Sequence, residues 1–206
     1  MILTVVIPSK QWIESAGVRI RYKRLRPCFE AAGVDLRIIP LEQVTNSCIE
    51  SSNLVIISKI FELDSIKIIS VCQNSRIRVG IDLFDDYFSD PKLSIFSKQH
   101  DWLRLAARMC DFAICSTEKM KLVAGQFFDI EYVHQINDTK DPCITHDETR
   151  RLINCKFEAF KRSGNLKILW FGIGDNPYFD VGIKDLNSYS NFLFQIARKC
   201  SPVTFT

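Results

Sequence analysis

What this sequence lacks narrows it first. No apolar run approaches the roughly 20 residues needed to cross a bilayer. The opening MILTVVIPSK has neither the basic n-region nor the long apolar h-region of a signal peptide. A cytoplasmic protein is expected, and composition leaves peripheral contact with a membrane surface open. The eight cysteines, Cys28, Cys48, Cys72, Cys110, Cys115, Cys143, Cys155 and Cys200, include no C-x-x-C pair. Most lie in apolar runs, where a free thiol acts as a small hydrophobe, so inert thiols are expected rather than zinc ligands or disulfides. The three histidines, His100, His134 and His146, are scattered, with no H-x-x-x-H and no Cys/His grouping. Neither a metal nor a cofactor is expected. No G-x-S-x-G elbow and no Ser-His-Asp order supports acyl transfer. The formal net charge of +3 comes from 27 basic and 24 acidic residues. It forms no dense basic stripe, so nucleic acid is not an expected partner.

What is present reads as an α/β protein. The 206 residues are 47% hydrophobic and 25% charged, enough for one good core, or for one domain and part of another. Near-continuous apolar runs at 2–7, 35–40, 54–58, 78–82, 112–116, 131–134 and 166–172 alternate with amphipathic stretches. Apolar runs without clean alternation suit strands buried on both faces. Helices are expected at 17–32, 62–73, 98–110, 117–127, 147–162 and 187–199. Gly33 is placed to end the first of these, and Pro27 to kink or break it near Arg26. The order β/α/β/α predicts a Rossmann-like parallel sheet flanked by helices. Residues 136–148 are polar and contain the turn signal Asp141-Pro142. A boundary is expected near residue 164, between an N-terminal domain (1–164) and the beginning of a second one (165–206), which is too short to bury a core alone.

Three stretches carry candidate chemistry. The first is VGIDLFDDYFSD (79–90), whose Asp82, Asp85, Asp86 and Asp90 follow a strand. Ligands of open parallel sheets bind outside the carboxyl ends of strands. Carboxylates there could hold a divalent cation or accept hydrogen bonds from sugar hydroxyls, or could simply border a solvated loop. Tyr87 and Phe88 favour a sugar edge. The second is the long connection PSKQWIESAGVRIRYKRLR. Gly17 permits close approach there, and Arg19 and Arg21 are placed to meet phosphate near a helix N-terminus; the alternative is a solvated basic face. The third is WFGIGDNPYF, whose Gly172 and Gly174 follow a strand but lack the third glycine of a dinucleotide fingerprint.

In order along the chain, these pieces resemble the retaining GT-B glycosyltransferases, the large family that includes many bacterial cell-surface polysaccharide enzymes. SAGVRIRYKRLRPCFEAAGVDLRIIP is similar to that family's first loop, helix and second strand. RVGIDLFDDYFSD is similar to its acidic stretch, and CDFAICSTEKMKLVAGQFF to a following strand and helix. YVHQINDTKD stands where the last N-domain strand turns, and LKILWFG resembles the first strand of the second domain. The chain departs in carrying Asp82-Leu83 where many relatives have a histidine, and in reducing the first loop's glycine pair to Gly17. It also ends before the E-x7-E type motif of the family's donor site.

The resemblance implies transfer of a sugar from a nucleotide sugar to a glycan or lipid-linked acceptor. Asp82, Asp85, Asp86 and Tyr87 would then lie on the acceptor side. Gly17, Arg19 and Arg21 would lie by phosphate, and Gly172 and Gly174 by the donor. The chain as given is expected to be inactive alone. The alternative is a non-catalytic module, or half of a split enzyme whose partner chain supplies the donor domain. A nucleotide-binding domain of other chemistry has the least support.

Overall fold

A computed structural model of the chain describes residues 1–83, 85–88, 96–139, 145–169, 183–199 and 202–205. The chain divides into two compact units, Met1–Asp141 and Pro142–Thr206.

The first unit is built on six strands: β1 (Ile2–Ile7), β2 (Asp35–Pro40), β3 (Leu54–Ser58), β4 (Arg78–Leu83), β5 (Phe112–Cys115) and β6 (Val133–Gln135). They pair in the order β2-β1-β3-β4-β5-β6, all parallel. The Rossmann-like sheet expected from the apolar runs is therefore present. Between strands run α1 (Ala16–Arg21), α2 (Arg26–Ala31), α3 (Asn46–Glu50), α4 (Leu63–Asn74), α5 (Ser97–Ala107) and α6 (Glu118–Ala124). The expected helix over 17–32 is divided rather than kinked. A 3-10 turn at Lys23–Leu25 separates α1 from α2, and Pro27 sits in the first turn of α2, where its missing N–H costs nothing. Gly33 follows with φ +69°, the left-handed conformation that the chain needs to leave α2.

Side chains alternate across the strands, so each strand feeds two cores. Val6, Val55, Ile57, Val79, Ile81, Leu83, Ala113 and Cys115 pack with α3, α4, α5 and α6 residues such as Ile49, Ile69, Leu103 and Met120. Leu3, Val5, Ile7, Ile56, Phe112 and Ile114 pack on the other face with Val18 and Tyr22. The division follows from handedness. Crossovers are right-handed, so stepping from β1 to β2 places its helices on one face. Stepping the opposite way, through β3, β4, β5 and β6, places them on the other. The strand order therefore reverses at β1 and β3, and there the carboxyl edge of a doubly wound sheet opens as a crevice.

The second unit contains α7 (His146–Ser163), α8 (Ile183–Ser188), α9 (Ser190–Lys199) and the parallel pair β7 (Leu166–Ile168) and β8 (Val203–Phe205). Thr145 and Glu148 form a reciprocal capping box at the start of α7, and Gly164 ends it at φ +62°.

Among the described residues, Cys28, Cys48, Cys72, Cys110, Cys115 and Cys155 are free thiols; Cys143 and Cys200 lie outside them. Burial pushes the Cys72 thiol up to about 12 and raises Cys110 and Cys115 as well. Cys28 and Cys155 depart from the expected burial, because each lies on a helix with no buried residue, α2 and α7. Since the thiolate is the nucleophile, brief iodoacetamide treatment at pH 8 should label Cys28 and Cys155 while Cys72 stays protected until denaturant is added. Peptide mass mapping reads this directly; early labelling of Cys72 would contradict the packing of α4 on the sheet.

Candidate functional site

The crevice is framed by three strand ends. From β1 the chain passes through Pro8 and Ser9 into a 3-10 turn at Lys10–Glu14. The Lys10 N–H, just inside that turn, donates to Glu42 Oε1 at 2.9 Å. From β3 it passes through Ser58 into Lys59. From β4 it passes through Leu83 to Asp85, Asp86, Tyr87 and Phe88.

Asp82 does not face solvent. It lies one residue inside β4, with its side chain on the α1 face of the sheet, and is 2% exposed. Arg21, at the end of α1 and 8% exposed, donates from Nε to Asp82 Oδ2 at 2.8 Å. Its Nη2 lies 2.8 Å from Oδ1, an ion-pair contact outside hydrogen-bond geometry. Tyr22 donates its hydroxyl to the same Oδ2. From Nη1, Arg21 also donates to Asp138 Oδ1 at 2.8 Å and to the Ile136 carbonyl at 3.2 Å. Thr139 Oγ1 donates to the Ile20 carbonyl at 2.6 Å, and Arg24 donates to the Thr139 carbonyl at 3.3 Å. This network ties α1 to β4 and to the segment leaving β6.

Electrostatics agree with that geometry. Burial opposes the Arg21 charge, but Asp82 and Asp138 outweigh it and hold the guanidinium more firmly protonated than a free arginine. Burial, with the Asp82 charge beside it, raises Tyr22 well above the ordinary phenol range, so the hydroxyl keeps the proton it donates. Burial pushes the Asp82 carboxyl up, while Arg21 and Tyr22 pull it back.

Asp85 and Asp86 lie beyond the end of β4. Asp85 Oδ2 lies 2.6 Å from Lys59 Nζ and accepts from the Tyr87 hydroxyl at 3.3 Å. Asp86 Oδ2 lies 4.0 Å from Lys119 Nζ, and its Oδ1 accepts from the Phe88 N–H at 3.3 Å. Lys59 Nζ also stands 5.5 Å from the centroid of the Trp12 ring, which is 38% exposed. Tyr87 leans on Phe61, with ring centroids 5.8 Å apart, and Phe61 packs edge-on against Phe88 and Trp102. Below these rings the Trp102 indole N–H donates to Ser65 Oγ at 2.8 Å.

The sequence candidates therefore separate. Asp85, Asp86 and Tyr87 come together beyond β4. Asp82 and Arg21, expected on the acceptor and phosphate sides, are joined to each other in a buried pair. Gly17 lies in the first turn of α1, whose Ser15 hydroxyl accepts from the Val18 N–H at 3.4 Å, and Arg19 is exposed. Asp90, Gly172 and Gly174 lie outside the described residues. Among the described residues, no group of three or more His, Cys, Asp or Glu is arranged to hold a metal ion. No described helix is long and apolar enough to cross a membrane.

Sequence reasoning missed Trp12, Tyr22, Lys59 and Asp138. The length of the first loop pointed toward Trp12. Nothing in the sequence marked Lys59, because its position depends on which strand neighbours β1.

No protein-family model and no curated protein matches this sequence. Solved structures do. Anabaena Alr3699/HepE in complex with UDP and glucose aligns with 100% of this chain and 68% of its own, at TM-score 0.54 and 11% identity. The same protein in complex with UDP alone gives TM-score 0.54 and 12% identity over 99% of this chain and 68% of its own. Its complex with UDP-glucose gives 0.50 and 11% over 100% and 68%. This likeness establishes the fold. The chain shares its fold with that protein, and the Rossmann-like α/β sheet expected from the sequence is part of it.

Proposed function

We propose that this chain is the acceptor-side part of a glycosyltransferase that takes its sugar from a nucleotide sugar and delivers it to a glycan or lipid-linked acceptor. The observation that carries the reading is the shared fold, over the whole chain, with a protein held in complex with UDP-glucose. The crevice residues support it. Asp85, Asp86 and Tyr87 offer the acceptors and donors that orient sugar hydroxyls. In this reading Gly17 and the exposed Arg19 at the start of α1 would meet a phosphate or an anionic acceptor. Arg21 and Asp82 hold α1 against β4 so that this loop keeps its shape. In the reading, residues 1–164 form the acceptor side and 165–206 begin the donor side, where Gly172 and Gly174 would let backbone approach the nucleotide. Transfer would rest on fixed positive groups facing the departing diphosphate and on exclusion of water. The 206 residues alone are expected not to turn over.

The test is release of nucleoside diphosphate from UDP-, GDP- and dTDP-sugars in the presence of cell-envelope glycans. It is run on protein purified from its native source and on the 206-residue chain. Release by the native preparation only is the expected result. Release by neither overturns the reading, and release by the short chain overturns the donor-side assignment. The intact mass of the native product then locates the donor side. A mass above 23.8 kDa places it in the same polypeptide, and a mass of 23.8 kDa assigns it to a separate partner.

A further inference from the structure

Two non-glycine residues carry positive φ among the described residues, Lys59 at 57° and Arg76 at 56°. Arg76 is accounted for by its surroundings. It follows the end of α4, where its N–H donates to the Gln73 carbonyl and the Ile77 N–H donates to the Cys72 carbonyl, an ordinary left-handed exit from a helix. Lys59 ends no helix. It follows β3, at the point where the strand order reverses, and a long side chain is held there in a conformation that crowds its Cβ. Strain that persists away from a helix end or turn marks positions where the surroundings over-determine the backbone, and these gather at ligand sites.

The surroundings of Lys59 fit one ligand chemistry. Its ammonium lies against the Asp85 carboxylate at 2.6 Å and over the Trp12 ring at 5.5 Å. Trp12 comes from the turn after β1 and Lys59 from the end of β3, so the ring and the amine are brought together from two neighbouring strands. The Asp85 carboxylate also takes the Tyr87 hydroxyl. A lone cation here would suit an anion, but the adjoining carboxylate offsets its charge. A paired amine and carboxylate instead offers a donor and an acceptor side by side, which is what two neighbouring hydroxyls of a sugar ring require. A half-exposed indole supplies an apolar face for the ring's C–H side.

We infer that Lys59, Asp85 and Trp12 form a binding site for a neutral pyranose, with Lys59 held in its left-handed conformation to bring its ammonium beside Asp85. This rests on the proposed glycosyltransferase reading and names the sugar class that the crevice takes. The site lies within the Met1–Asp141 unit, so it is testable in the 206-residue chain.

Indole resonances are followed by proton–nitrogen NMR during titration with methyl α-D-glucopyranoside, -galactopyranoside and -mannopyranoside, and with methyl glucuronide as the charged control. The Trp12 indole signal should move with at least one neutral glycoside and less with the glucuronide. Lys59→Gly should weaken that response at least tenfold, and Trp12→Ala, which lacks the reporter, should show at least tenfold weaker binding of the same glycoside by calorimetry. Lys59→Ala and Lys59→Gly both remove the amine, but glycine alone relieves the backbone. Lys59→Gly should therefore melt about 2–4 °C above Lys59→Ala while binding sugar no better. Competition between UDP-glucose and the methyl glycoside would identify the donor's sugar as the occupant, and independent binding the acceptor's; either supports the site. No response from any glycoside, stronger binding of the glucuronide, or an unchanged response in Lys59→Gly overturns the inference. If neutral sugar binds and the native preparation releases no nucleoside diphosphate, the site stands and the glycosyltransferase reading falls.

Discussion

Arg21→Ala should destabilise the protein by about 3–5 kcal/mol, the usual result of removing one partner from a buried ion pair. The variant leaves the Asp82 carboxylate buried with only Tyr22 beside it, and it removes the bonds to Asp138 and the Ile136 carbonyl. Asp82→Ala should cost less, because the Arg21 guanidinium keeps Asp138 and the Ile136 carbonyl as partners. The instructive variant is the double one. Arg21→Met with Asp82→Leu removes both charges and fills the volume, and buried pairs replaced in this way are often as stable as before. Urea denaturation should show Arg21→Met and Asp82→Leu singly with lower midpoints and unchanged slope, and the double variant well above the sum of their losses. Additive losses would mean that Arg21 and Asp82 stabilise the fold through different neighbours. In Arg21→Ala, limited proteolysis should also begin sooner at residues 136–139, since two of the bonds fixing that segment come from Arg21.

That pair shows where sequence and structure part. The sheet was legible because five of its six strands are short β-branched runs, and their parallel order followed from the helical stretches between them. Gly33 was legible as the exit from α2 because only glycine takes that conformation without cost. The aspartates after β4 were legible as a strand-end cluster. Which of them point outward was not. Side chains alternate along a strand, and Asp82 lies inside β4 on the face that α1 covers, so the sequence does not separate this buried acid from its half-buried neighbours Asp85 and Asp86. Arg21 was grouped with phosphate-binding arginines for the matching reason. Its partner lies 61 positions away, and only the packing of α1 on β4 brings them together. Lys59 was illegible for a third reason. A left-handed residue after a strand has no composition signal unless it is glycine or asparagine. The 3-10 turns at Lys10–Glu14 and Lys23–Leu25 were lost because two or three hydrogen bonds decide them, below the scale at which apolar periodicity speaks.

The second large effect is expected at Gly80→Ala. Replacing a strand-interior glycine would ordinarily stabilise, since glycine is the poorest residue there. Here the added Cβ would stand 2.3 Å from Cε2 of the Phe112 ring and 2.4 Å from Cζ. Gly80 and Phe112 are register partners on β4 and β5, so the ring lies across the bare backbone. The ring has little room to withdraw. It is buried, with the Arg78 guanidinium 5.7 Å from its centroid and the His134 ring 6.1 Å away. Overpacking of this kind costs about 1–3 kcal/mol, so the substitution should lower stability despite the better strand residue. Shrinking the ring tests the cause: Gly80→Ala with Phe112→Leu should be more stable than the two single losses combined, with a coupling of about 0.5–3 kcal/mol. Additivity would place the clash elsewhere. Two residues further on, Asp82 and Ile114 are partners on the same face, so a displaced Phe112 ring is expected to push toward the Arg21–Asp82 pair. The Trp12–Lys59 crevice edge lies beyond the opposite side of that pair, on β1 and β3. Gly80→Ala should therefore lose stability while its remaining folded protein keeps the Trp12 response to neutral sugar. Loss of both together would mean that the buried pair and the crevice edge act as one unit.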